Sequence, residues 1–139
     1  GLSIYHTKPH LFRAVLEGVA YAMRYSIESA KDAGIPVRRT TLVDGCARSK
    51  LWRQIISDVT GMAMEYIPNA KGAPLGDALL AGLGSGVIND HGIIEKWIGK
   101  RVKMEPNRDN QRIYERYYEL YKESLVASKG LFEKMGEIA

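Results

Sequence analysis

Thr40-Thr41-Leu42-Val43-Asp44-Gly45-Cys46-Ala47-Arg48-Ser49-Lys50-Leu51-Trp52 decides how this chain folds. Residues 40–43 are β-branched and apolar, the pattern of a buried strand. Asp44 to Ala47 are small and turn-forming, and Ser49 is a good N-cap for a following helix. A strand, a glycine turn and a helix start in succession present backbone N–H groups beside the positive end of a helix dipole. That arrangement suits a phosphate or a nucleotide. Any ordinary strand-to-helix connection looks the same, so the rest of the chain has to decide its use.

Downstream, Trp52, Ile55, Ile56 and Val59 recur at helical spacing, and Thr60-Gly61 stops the helix. Met62 to Ile67 reads as a second strand, closed by Pro68-Asn69. Strand, helix and strand of this length predict a parallel, right-handed crossover. Only these two strands are convincing, too few for a stable sheet, so further strands are expected from missing sequence or from another chain.

Upstream, Pro9 to Ala33 predicts one long helix, with Phe12, Leu16, Val19, Met23, Ile27 and Ala30 on its apolar face. Leu11, Val15, Gly18 and Ala22 form a second stripe, so the helix is expected to be covered on more than one side. Arg13 with Glu17 and Arg24 with Glu28 are spaced for side-chain pairing. Gly34 and Pro36 end the helix. On the other flank, Lys71 to Gly76 is a second glycine turn leading into a helix over Asp77 to Leu83, whose Gly82, Gly84 and Gly86 suit a close backbone approach. Asn89 or Asp90 caps a short helix through Trp97, Gly99 to Glu105 is a charged extended stretch, and a last helix runs from Asn107 to beyond Leu125. Its Ile113, Tyr117, Leu120, Tyr121 and Leu125 lie at helical spacing, with Tyr114 and Tyr118 alongside.

The 139 residues suffice for one domain with a real core, and 45% hydrophobic with 26% charged residues is ordinary for a globular chain. No apolar run is long enough to span a bilayer, so no membrane is expected as a partner. The single cysteine, Cys46, cannot pair within the chain, which makes a reducing cytoplasm the expected compartment. The net charge is only +4, and its basic residues gather as Arg38-Arg39, Arg48-Lys50-Arg53 and Lys96-Lys100-Arg101-Lys103. Such a rim suits ATP at least as well as nucleic acid, which is not expected to bind. The chain opens on Gly1 without an initiator methionine and reads as a piece of a longer protein.

His6, His10 and His91 are scattered and lack a second ligand at metal spacing. Cys46 has no histidine in local register and reads as a small packed residue, not a nucleophile. Glu17 reads as a solvated partner of Arg13, the tyrosines of the last helix as packing, and Trp52 and Trp97 as core. Residues alone therefore give an α/β domain with an anion-friendly turn.

Gly1-Leu2 followed by His10-Leu11-Phe12-Arg13-Ala14-Val15-Leu16-Glu17-Gly18-Val19-Ala20 resembles the C-terminal signature of the FGGY carbohydrate kinases. Val43 to Gly61 is similar to the adenosine-side motif of that family, a glycine triplet, alanine, a basic residue and serine before a helix bearing Trp and Gln. Gly72-Ala73-Pro74-Leu75-Gly76-Asp77-Ala78-Leu79-Leu80-Ala81-Gly82 is similar to its glycine-alanine helix start. Asp44 and Cys46 stand where glycines are usual. Asp77 stands where alanine is commoner and is open to reading as a helix cap.

The resemblance implies a ribonuclease-H-like, actin-like ATPase domain, α/β and helix-rich with a truncated sheet. Residues 1–139 would be an incomplete C-terminal kinase domain lacking its first strands and the whole N-terminal domain. The parent would transfer the γ-phosphoryl group of ATP, with magnesium, to a sugar or polyol hydroxyl, pentulose or hexulose types foremost. Gly45, Cys46 and Ala47 would present backbone to the nucleotide, with Ser49 and Lys50 beside adenine or ribose. The catalytic base, the metal site and most sugar contacts would lie elsewhere, leaving the fragment itself inactive. The alternatives are a non-catalytic nucleotide-binding or oligomerisation module of the same superfamily and, further off, a basic nucleic-acid binder. Open strand edges lead us to expect self-association as a homo-oligomer.

Overall fold

The computed structural model describes residues 2–68 and 72–138. Helix α1 spans Lys8–Asp32. Thr7 and His10 fix its start, Thr7 Oγ1 lying 2.8 Å from His10 Nδ1. Gly34, at φ +79°, turns the chain out of the helix. Leu16, Ala20 and Tyr21 are the buried residues of α1, with Met23 packed beside them. This face differs from the predicted one: Leu11, Phe12, Val15 and Val19 are exposed. Tyr21 sets the rotation, because it packs among Tyr114, Tyr118 and Tyr121.

Strand β1 is short, Thr41–Leu42, and runs into helix α2, Asp44–Arg48. The expected small-residue turn is thus a single helical turn and a little more. Ser49 ends it and caps helix α3, Lys50–Thr60, accepting a hydrogen bond from Trp52 N at 3.2 Å. Ile55, Ile56 and Val59 of α3 are buried as their spacing predicts. Gly61 closes α3 at φ +66°, where the Gln111 side chain fills the space of any Cβ. Strand β2, Met64–Tyr66, then pairs in parallel with β1, Thr41 opposite Glu65 and Leu42 opposite Tyr66.

A third strand, β3 (Val102–Met104), lies antiparallel to β2, giving the order β1-β2-β3. It comes from the charged stretch that sequence alone left without a partner. Three residues are too few to show a period of two against Arg101, Lys103 and Glu105. Among the described residues, the outer edge of β1 is unpaired, so the sheet is small and open on that side.

Helix α4 spans Ala73–Gly84 and begins before Asp77, which is therefore an exposed interior residue and not its cap. Gly72 holds the cap position instead. Of the close approaches foreseen at Gly82, Gly84 and Gly86, the first is present, made by the Ile88 side chain, whereas Gly84 and Gly86 border open space. Lys71, at the head of the second glycine turn, and Asn69, at the end of the second strand reading, lie outside the described residues. Asp90 caps a short 3₁₀ turn, His91–Ile93, by accepting from Gly92 N at 2.8 Å, and helix α5 follows over Ile94–Ile98. Trp97 there is 40% exposed and not a core residue.

Helix α6, Arg108–Gly136, is capped by Asn107, whose Oδ1 accepts from Asp109 N and Asn110 N. Its buried residues are Tyr114 and Tyr118, whereas Ile113, Tyr117 and Leu120 are exposed. The inward stripe is therefore the tyrosines read as lying alongside. They win because each hydroxyl reaches a polar partner on α1: Tyr114 donates to Glu17 at 2.8 Å and Tyr118 donates to Glu28 at 2.6 Å. Helix α3 packs against both α1 and α6 and forms the centre of the core.

Candidate functional site

The site begins where β1 ends. Val43 is extended, and Asp44 turns to φ +56°, the left-handed region that glycine enters freely and a side chain enters at a cost. Asp44 is the only described non-glycine residue with such a backbone. Its carboxylate lies against Gly72, filling the space where a Cβ at position 72 would stand. Gly72 has φ +58° and ψ −139°, a conformation open in practice to glycine alone. Two glycine-bearing segments separated by more than twenty residues thus meet at one place, and α2 and α4 both start from it.

Each residue foreseen at the nucleotide has a definite place. Gly45 is exposed, and a Cβ there would touch only the Trp52 ring at 4.0 Å. Cys46 is half-buried, and its thiol donates to Val43 O at 3.0 Å. Ala47 is buried in the core, with its carbonyl accepting from Arg53 at 2.8 Å. The Ser49 hydroxyl oxygen caps α3, and Lys50 is exposed. Gly45 and Lys50 therefore face outward, Cys46 and Ser49 are partly committed to holding the loop, and Ala47 packs inward.

The basic group Arg48-Lys50-Arg53 does not act as a unit. Arg53 stacks on the Tyr66 ring at 4.0 Å and ties α2 to β2, leaving Arg48 and Lys50 at the surface. Arg101 is likewise engaged, in a forked pair with Glu95 at 2.9 and 3.0 Å. Glu17 is no free base, since it accepts from Arg13 and from Tyr114, each at 2.8 Å. Among the described residues no three His, Cys, Asp or Glu side chains gather to hold a metal ion. Asp44, an acid at the junction of the two glycine segments, is packed on Gly72. The segment thus presents Gly45, Arg48 and Lys50 at the surface beside the Asp44–Gly72 contact.

Residues 1–85 match the C-terminal domain of the FGGY family of carbohydrate kinases. The chain belongs to that family. It is 32% identical over 132 residues to a xylulose kinase of Staphylococcus epidermidis, covering 94% of this chain and 27% of that protein. It is 31% identical over 116 residues to a gluconokinase of Bacillus subtilis, covering 82% and 22%. The fold matches the crystal structure of xylulose kinase from Rhodospirillum rubrum with a TM-score of 0.74 at 29% identity, over 96% of this chain and 27% of that one. The chain therefore spans about a quarter of the length of these FGGY relatives. The helix-rich layout with a small open sheet is the architecture of the FGGY C-terminal domain. No described helix is long and apolar enough to cross a membrane.

The junction of Asp44 with Gly72, the inward turn of Arg53 and the tyrosine–carboxylate pairs were all missed by sequence reasoning. The first had a signal: an acid at a position where the family resemblance expects glycine marks a left-handed backbone. The others depend on contacts between elements far apart in sequence.

Proposed function

We infer that residues 1–139 form the nucleotide side of an ATP-dependent carbohydrate kinase, as part of its C-terminal domain. The parent protein transfers the γ-phosphoryl group of ATP to a sugar or polyol hydroxyl, a pentulose such as xylulose foremost. The observation that carries this reading is the meeting of Asp44 with Gly72, which brings the two glycine-bearing motifs to one wall. The match to xylulose kinases along nearly the whole chain supports the choice of sugar class.

In this reading Gly45 and Cys46 offer backbone to the adenosine, Ala47 fixes the depth of the wall, and Ser49 and Lys50 border the nucleoside. ATP supplies the phosphoryl group, and Mg²⁺, held by residues outside those described, supplies the counter-charge. Phosphoryl transfer depends on positioning and charge stabilisation more than on covalent chemistry, so a wall that orients the nucleotide is a real contribution. Closure against a second domain would exclude water from the transferred group. A cytoplasmic location accords with the lone Cys46.

The test is phosphorylation by the full-length protein across a panel of sugars and polyols with MgATP, run beside the 139-residue chain. Turnover of a pentulose by the former and none by the latter is the expected result. No turnover of any member of the panel overturns the activity, and turnover by the short chain overturns its assignment as a half-site.

A further inference from the structure

The reading above leaves Asp44 without a task, although among the described residues it is the one non-glycine residue with a left-handed backbone. An aspartate at φ +56° is strained relative to glycine, and the neighbour it touches has a backbone that only glycine adopts readily. Neither feature is needed merely to connect β1 to α3, which Ser49 caps by itself. What the pair does accomplish is steric: the Asp44 carboxylate occupies the Cβ space of Gly72, so the start of α2 and the start of α4 are seated against each other.

We propose that Asp44 is a positioning residue, a latch that fixes the α2 turn against the α4 turn and so sets the width of the nucleotide wall. Gly72 is the keeper of that latch. The proposal rests on the kinase reading for its effect on ATP, but not for the Asp44–Gly72 contact itself. Removing the carboxylate takes away the packing that spaces the two turns and lets them shift against each other, which weakens nucleotide binding in the ground state and the transition state alike. Such a loss raises KM for ATP and leaves kcat and KM for the sugar in place. The opposite manipulation, a methyl group on residue 72, collides with the carboxylate and forces the wall open.

The experiment is a double-mutant cycle in the full-length protein, with Asp44→Gly, Gly72→Ala and the pair, read by melting temperature and by separate KM values for ATP and sugar. Asp44→Gly should raise KM for ATP about tenfold without lowering the melting temperature, since it relieves a left-handed side chain. Asp44→Asn, which keeps the shape, should restore most of the ATP affinity. Gly72→Ala should lower both stability and ATP affinity, and Asp44→Gly in that background should recover part of the melting temperature, because the methyl group then meets no carboxylate. An unchanged KM for ATP in Asp44→Gly, or strictly additive melting shifts, overturns the latch. Failure of the wild-type protein to phosphorylate any sugar is a separate result, which strikes at the kinase reading while the melting cycle still decides the contact.

Discussion

Arg24 is 14% exposed and faces Glu28 at 2.9 Å, Glu115 at 2.7 Å and the Tyr118 ring at 4.0 Å, with a further bond to Val59 O at 3.1 Å. It ties α1 to α3 and α6 at once. Replacing it by methionine keeps the stem but leaves those acceptors short of a donor, and should destabilise the fold by about 2–4 kcal/mol in urea unfolding. The hydrogen bonds from Arg24 hold Glu115 below the ordinary carboxylate value of 4.5, against the opposing effect of burial. In Glu28 burial pushes upward, yet bonds from Tyr118 and Arg24 still keep it low. A carboxylate with a depressed folded pKa stabilises the fold above its unfolded value and loses that contribution as pH falls through the folded one. The melting temperature should therefore drop as pH is lowered below about 4.5, less steeply in Arg24→Met than in the wild type. At the alkaline end, burial first and the Glu17 bond second push Tyr114 up to about 12. Its contribution is complete below the ordinary tyrosine value of 10 and is lost as pH rises from there towards about 12. Tyr114→Phe should flatten that limb of the stability profile.

At the scale of elements, the joint between α3 and α6 rests on Asp58, buried to 1% exposure. It accepts from Gln54 Nε2 at 2.7 Å, from Asn107 N at 2.7 Å and from Asn110 Nδ2 at 2.8 Å, so an acid on α3 secures the first turn of α6. Asp58→Ala strands those donors and should cost about 2–4 kcal/mol, with amide exchange rising first at the start of α6. Ile56→Ala, from a fully buried position, should cost about 2–5 kcal/mol, whereas Leu120→Ala on the exposed flank of α6 should fall within about 0.5 kcal/mol of the wild type. The extent and type of α1, α3 and α6 were legible in the sequence because long periodic helices with clear caps leave little ambiguity. The inward faces of α1 and α6 were not. Hydropathy ranks Ile113 and Leu120 above Tyr114 and Tyr118, yet the tyrosines go inward because Glu17 and Glu28 satisfy their hydroxyls. Strand β3 was hidden for a related reason: on a three-residue edge strand, register with β2 decides the structure and composition does not. Along the segment from Gly45 to Lys50, the division into outward Gly45 and Lys50 and inward Ala47 was not legible, because it follows from α2 and the start of α3 being helical.

On the scale of the whole molecule, the described residues leave large apolar side chains exposed on three helices. Phe12 and Val15 of α1, Leu80 of α4 and Val126 and Phe132 of α6 are all more than half exposed, and α4 buries none of its residues despite its Ala-Leu composition. The outer edge of β1 is also open among the described residues. A chain with these features should associate when isolated, and light scattering at rising concentration should report dimers or larger species. A monomer throughout that range would contradict the expectation. In the reading proposed above, the same surfaces would seat the remainder of a kinase, and the segment from Asp44 to Lys50 would face its cleft. Gly45 offers the most direct test of that orientation. A side chain there fits the fold, helical in backbone and 4.0 Å from the Trp52 ring, but would project into the proposed nucleotide space. In the full-length protein, KM for ATP and for the pentulose should be measured for wild type and Gly45→Leu. The account predicts a rise of about tenfold or more in KM for ATP with KM for the sugar unchanged. An unchanged KM for ATP, or a rise confined to the sugar, would contradict it.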